Sequence, residues 1–414
     1  MLWVLALGGF VLTVGSSFVW PINTVYIHFA LGKPLVVAGL VLLLSSGAGL
    51  AGQLAGGALF DWVGPRGVML AALVLAGAML AVIGLVRIWS VYVVAMGLNG
   101  FAYGLLDPAQ SALLARVWPE GGRKGFNFLY VARNAGVAVG TALGGVVAER
   151  SFTAAFLVNA AAALGYGAVV WRSLPATLAP ARGGPRLRRP RPAKAAAGSS
   201  GSLDREAPGR ALAALGLIAM GVALIWMAYS QWQAVISVYM RELGYSLSSY
   251  GMLWTLNGLI IVFGQPLIVG VVRRWLKSLP GQMIAGTSLF AAAFLLVWQV
   301  PRYEGFVAGM AILTLGEMLV LPALPAAVAE IAPAHRAGLF QGVMGGAVQA
   351  GRMLGPVGGG AMYDRWSPPG VLAAAAGACA VAATAFMGYR ATWRGRPSPS
   401  ATGGAAVAGE TPNR

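Results

Sequence analysis

The chain has 414 residues, 58% of them hydrophobic and only 10% charged, with a mean hydropathy of +0.74. A water-soluble fold of this length would carry far more charge and is excluded. The net charge of +17 invites a nucleic-acid partner, but its distribution along the chain argues against one.

A helix needs about 20 apolar residues to cross the hydrocarbon core of a bilayer. Twelve stretches meet that need, over 2–30, 37–59, 67–86, 90–117, 125–148, 152–172, 211–240, 249–272, 281–299, 303–330, 338–362 and 369–389. Backbone polar groups in lipid must be satisfied internally, and these runs lack the period-two alternation of barrel strands. The expected fold is therefore an all-α membrane protein of twelve transmembrane helices. The chain opens almost directly on its first apolar run, without the basic leader and cleavage site of a signal peptide, so span 1 is expected to be retained.

The spans fall into two sets of six. Residues 1–172 form an N-terminal half, 173–210 a basic linker, 211–390 a C-terminal half and 391–414 a tail. Pro, Gly, Ala and Arg in the linker predict a flexible connection, and the tail is expected to be disordered. With both termini placed in the cytoplasm, most of the 29 Lys and Arg lie on that side, among them Arg66, Lys124, Arg273, Arg274 and the linker residues Arg186, Arg188 and Arg189. That is the positive-inside pattern of a multi-pass protein of the plasma or inner cell membrane. Orientation and attraction to anionic lipid account for the charge, so no nucleic-acid partner is expected. One cysteine, Cys379, excludes an internal disulfide, and His28 and His335 stand far apart without a metal-ligand pattern. No metal is expected.

The two halves repeat. Gly136, Gly140, Gly144, Glu149 and Arg150 return as Gly351, Gly355, Gly359, Asp364 and Arg365, and Pro108 and Pro119 return as Pro322 and Pro333. Parallel repeats of this kind meet at a site near the bilayer midplane and rock about it. Glycines spaced by four let helix backbones approach closely, and the stripes of spans 5 and 11 are expected at the interface between halves.

Four ionisable residues lie deep in spans: Asp107, Arg133, Glu317 and Arg352. Each costs about 2.5–3.5 kcal/mol at the bilayer centre, so they are expected to face a cavity or each other. Similar depths pair Asp107 with Arg133 and Glu317 with Arg352, either for proton coupling or simply to lock helices together. Helical spacing puts Asn99, Tyr103, Asp107 and Gln110 on one stripe of span 4. Asn23 on span 1, Tyr229 and Gln233 on span 7, Trp254 and Asn257 on span 8 and Gln349 on span 11 are further candidates for an aqueous cavity. These residues contain no nucleophile–base pair with recognisable spacing, so an enzyme is not expected.

Between spans 2 and 3, Gly57, Asp61, Gly64 and Arg66 form the pattern G-x-x-x-D-x-x-G-x-R. Here the chain resembles the major facilitator superfamily. The resemblance implies a fold in which spans 1, 4, 7 and 10 line a central path, and a cytoplasmic gate at this loop, with Arg66 reaching a carboxylate such as Glu120. Gly316-Glu317-Met318, Leu321-Pro322 and Glu330-Ile331-Ala332-Pro333 are similar to the span 10 region of the drug:proton antiporter-1 (multidrug efflux) branch. Proton-coupled peptide transporters share that region, but their acidic and basic span 1 signature is absent here. Span 4 carries Asp107 where the efflux branch has arginine, and the branch's G-P-x-x-G-G signature keeps its proline only in half two, at Pro356.

The resemblance thus implies a secondary active transporter: a proton-coupled exporter of amphipathic cationic or neutral small molecules, working by alternating access. Asp107 and Glu317 would carry protons, with Arg133 and Arg352 as charge partners. The alternative is a transporter of organic anions or metabolites in which Arg133 and Arg352 bind the anion. Its expected partners are a small-molecule substrate, protons and the lipid bilayer; no cofactor beyond a proton gradient and no second subunit is expected.

Overall fold

The computed structural model describes residues 2–117, 122–174, 207–333 and 336–392. Their regular structure is all helical, with no strand among them. Ten segments are long and apolar enough to cross a membrane; the last, Leu339–Thr392, is 54 residues and holds two spans, and the shorter Trp3–Ser16 adds the first. Trp3, Trp171, Trp275 and Trp366 stand exposed at span ends, where indole rings sit at the headgroup level of a bilayer.

Sequence decides where the helices start and stop. Span 1 is regular over Leu2–Ser16 and then gives way to the short turns Trp20–Ile22, Asn23–Val25 and Tyr26–Ala30, rather than running unbroken to residue 30. Pro21 lacks an N–H, and its ring obstructs the preceding turn. Spans 2 and 3 form Leu35–Leu85, broken only at Gly64, whose φ of 81° a side chain would resist. Spans 4, 5 and 6 are Trp89–Val117, Gly122–Arg150 and Phe152–Ser173.

Span 7 begins at Ala207, inside the stretch expected to be linker, with Pro208 suited to a first helical turn. It extends through Gln231–Ala234 and Ile236–Glu242. Spans 8, 9 and 10 are Leu247–Arg274, Leu279–Gln299 and Tyr303–Ile331. Ser246 and Ser278 cap the first two through their hydroxyls. Spans 11 and 12 share Ala337–Thr392 with no intervening loop; the chain turns at Ser367, φ 63°, just before Pro368 and Pro369. Gly351 and Phe386, on either side of that turn, both pack on span 7, at Ala223 and Gly221, so the two spans run antiparallel.

The glycine stripes do not lie between the halves. A Cβ on Gly136 would stand 2.8 Å from Phe10 O, and one on Gly144 2.7 Å from Phe18 Cα, so the first stripe seats span 5 on span 1. Gly351 and Gly355 likewise seat span 11 on span 7. The tightest backbone approach is thus within each half. The seam uses the next residue round each helix: Gly145 meets Leu247 of span 8, and Gly360 meets Leu35 of span 2.

At the end of the bundle remote from the linker, carboxylates close the seam. Glu149, in the last turn of span 5, accepts from the Leu247 N–H at 2.6 Å and from Arg241 Nη1 at 2.8 Å. Its repeat counterpart Asp364 accepts from the N–H groups of Leu35 at 3.2 Å and Val36 at 3.0 Å. Each acid therefore caps the first helix turn of a span in the opposite half, where unpaired N–H groups and the helix dipole favour negative charge. Nearby, Thr24 Oγ1 donates to Gln233 O at 3.1 Å and lies 3.0 Å from Ser237 Oγ.

Candidate functional site

Behind that seal lies a cavity of about 420 Å³ between the halves. Asn23, Asn99, Tyr103, Tyr229, Gln233 and Arg352 line it, drawn from spans 1, 4, 7 and 11. Tyr92 OH donates to Asn23 Oδ1 at 2.6 Å, and Tyr103 OH to Asn159 Oδ1 at 3.4 Å, so both halves of these pairs are held in place. Ser45 and Ser46 of span 2 and Asn159 of span 6 also line the cavity and were not among the sequence candidates. The signal for Asn159 was its being a lone amide in an apolar run, which by itself does not say which way it faces.

Trp254 and Asn257 stand one layer back. Trp254 meets Trp20 edge-on at 4.9 Å across the seam and Tyr229 at 6.2 Å. Asn257 Nδ2 donates to Thr314 Oγ1 at 2.9 Å and to Glu317 Oε2 at 3.0 Å. Gln349, half-buried on span 11, is not part of the lining.

The four intramembrane charges divide unequally. Arg133 Nη2 lies 3.4 Å from Asp107 Oδ1 and also donates to Gln110 Oε1. The Arg133 and Asp107 side chains are 37% and 59% exposed, so the seam admits solvent at their level, on the linker side of the seal. Glu317 and Arg352 do not pair: the ion pairs among the described residues are Arg133–Asp107 and Arg241–Glu149. Equal depth suggested the pairing of Glu317 with Arg352, but rotation about the helix axes decides contact and keeps them apart. Span 10 turns Glu317 toward span 8, where it accepts from Asn257 and, at 3.2 Å, from Tyr229 OH. Span 11, packed on span 7, turns Arg352 into the cavity, with its guanidinium 5.3 Å from the Trp226 ring centre.

At the loop between spans 2 and 3, Arg66 Nη2 donates to Trp171 O at 2.7 Å, tying the turn to the end of span 6. Gly57 and Asp61 are described as helical backbone only; the Asp61 side chain and Glu120 lie outside the described residues.

Residues 5–282 and 279–411 match the Major Facilitator Superfamily. The chain is 44% identical over 367 residues to the MFS-type transporter YttB of Bacillus subtilis (strain 168), covering 88% of each. It is 24% identical over 368 residues to the multidrug resistance protein MdtH of Aeromonas hydrophila subsp. hydrophila, covering 87% of each. Its fold is similar to that of a peptide transporter POT crystallised with sulfate, with a TM-score of 0.76 at 18% identity over 94% of each chain. The nucleoside transporter NupG gives a TM-score of 0.76 at 14% identity, covering 94% of this chain and 99% of that one. Because the family match extends through both halves, the chain belongs to the major facilitator superfamily and is a multi-pass membrane transporter, not an enzyme.

Proposed function

We propose that the protein is a proton-coupled exporter of amphipathic small molecules that works as a monomer by alternating access. The observation that carries this reading is the shared position of Tyr229. Its hydroxyl donates to Glu317, while its ring lines the cavity. No cation pairs with Glu317 among the described residues, so a proton is the available source of compensating charge. Protonation neutralises the carboxyl and weakens it as an acceptor, so the Tyr229 hydroxyl can turn more readily toward a molecule in the cavity. Proton occupancy and substrate contact are coupled through that one group.

With the linker face cytoplasmic, a bundle sealed at its far end and wetted at Asp107 is inward-facing, the state an exporter uses to load. The likeness to MdtH supports efflux. Trp20, Trp226 and Tyr229 offer an apolar wall for a broad range of aromatic or aliphatic bodies.

On substrate charge, the cavity supports neutral or anionic molecules rather than cationic ones. Arg352 is the charged side chain on its wall, whereas Arg133 is engaged by Asp107 and Gln110. A neutral polar or acidic head group suits Arg352 better than a cationic one. The test is uptake into inverted proteoliposomes with an imposed pH gradient, using cationic, neutral and anionic compounds of matched apolar size. The reading requires gradient-driven accumulation of neutral or anionic members that Arg352→Gln weakens; accumulation of cations alone, or transport indifferent to the gradient, would overturn it.

A further inference from the structure

Arg352 reaches into the central cavity with little to hold it there. It makes no ion pair or hydrogen bond among the described residues, whereas Arg133 is engaged by Asp107 and Gln110. Its neighbour is Trp226, whose ring centre lies 5.3 Å from the guanidinium carbon, within the range of a cation–π contact. The backbone fixes this arrangement. A Cβ on Gly351 would stand 2.4 Å from Ala223 O and 2.7 Å from Trp226 Cβ, so spans 7 and 11 touch at this level, and the next residue of span 11 emerges against the indole.

An arginine left free in an open cavity samples many rotamers, and ordering it when a ligand binds costs affinity. An indole face orders it through the face of the guanidinium, and indole has no acceptor with which to occupy the guanidinium N–H groups. The five donors stay available in a planar fork that matches a carboxylate. A carboxylate side chain in place of Trp226 would hold Arg352 as firmly but would consume that fork. Trp226 also meets Tyr229 edge-on, with ring centres 5.2 Å apart, and Tyr229 is the residue that donates to Glu317. One indole therefore touches both the cation of the cavity and the phenol beside the buried acid.

We propose that Trp226 is the positioning residue of a carboxylate subsite. It holds Arg352 with its donors turned to the cavity, and the favoured substrates are amphipathic molecules whose head is a carboxylate rather than a neutral group. The proposal rests on the assignment of Arg352 to the substrate head, and it gives Trp226 a role beyond that of an apolar wall.

The test is equilibrium binding, which does not depend on proton coupling: isothermal titration of the purified full chain in detergent with 4-phenylbutyrate and with its amide, 4-phenylbutyramide. The two share one apolar body and differ in the charge of the head. Wild type should bind the acid more tightly, and Arg352→Gln should erase that preference. Trp226→Leu should cut the ratio of acid to amide affinity by about tenfold, between the scales of an exposed and a desolvated cation–π contact, and Trp226→Phe, which keeps an aromatic face, should restore most of it. Loss of apolar wall weakens acid and amide alike and cancels in the ratio. In the Arg352→Gln background, Trp226→Leu should leave the ratio unchanged, because no cation remains to be positioned. Trp226→Met, larger than leucine and without a ring, serves the same comparison where the leucine variant does not fold. A preference that is lost in Arg352→Gln but intact in Trp226→Leu, or a Trp226→Leu effect just as large without Arg352, would overturn the positioning role alone. No preference in wild type, or one that survives Arg352→Gln, would overturn the assignment of Arg352 to an acidic head and the subsite with it.

Discussion

The two carboxylate caps at the far end of the seam are contacts between halves, so they exist only while that end is closed. Replacing both, Glu149→Gln with Asp364→Asn, removes the charges but keeps an acceptor near each helix start. A side-chain cap is worth about 0.5–2 kcal/mol, and charge at a helix N-terminus about 0.3–1 kcal/mol. Asp364 is exposed, which argues for the lower part of that range. The added Arg241–Glu149 pair, with side chains 41% and 33% exposed, contributes no more than about 1 kcal/mol. Roughly 1 kcal/mol per cap gives about 2 kcal/mol together, or a shift of about thirtyfold toward the state open at the far end. The assay is pulsed electron–electron distance measurement between nitroxides at Ile88 and Pro301, exposed at the far ends of the two halves. Cys379 is buried and does not compete for label. Wild type should show mainly the short distance, and the double variant a large second population at longer distance. An unchanged distribution in a folded double variant would refute the view that these acids hold the seam.

Three further outcomes follow from the geometry. Glu317→Gln should abolish gradient-driven transport while preserving substrate exchange, and should change stability by no more than about 1.5 kcal/mol, because no Arg among the described residues pairs with Glu317; a loss of exchange would count against a coupling role. Ser367→Gly should raise the midpoint of thermal unfolding, since φ 63° with ψ 173° is a backbone region that only glycine adopts freely and that costs other residues about 1–3 kcal/mol; a lower midpoint would mean that the Ser367 side chain matters more than the strain. Cysteines at Ser199 and Ser398, sequence positions in the linker and tail, should resist an impermeant thiol reagent in intact cells and react in inverted vesicles; labelling from outside would reverse the orientation.

The spans were legible in the sequence because crossing a bilayer is a local demand, met by length and hydropathy one segment at a time. Ends were legible where a residue acts on its own turn, as at Gly64. The missing loop between spans 11 and 12 was not, because Ser367 carries no sequence signal for positive φ. Depth could be counted along spans 10 and 11, and it placed Glu317 beside Arg352. Azimuth could not be counted, and it separated them, since helix rotation is set by packing on spans 7 and 8. For the same reason the glycine stripes were recognised while their partners, spans 1 and 7, were misassigned. The repeat of Glu149 as Asp364 was plain, yet its role was invisible, because each acid binds backbone N–H groups that no residue type announces.

Those two caps also have an order in time. Leu247 follows Glu149 by 98 residues, so during synthesis span 8 enters a membrane that already holds its acid. Leu35 precedes Asp364 by 329 residues, and the amino end of span 2 must wait, hydrated, until the penultimate helix is made. The first clasp can form while the ribosome is still at work; the second cannot. A chain that ends before residue 364 therefore carries a complete first half whose rim lacks its clasp.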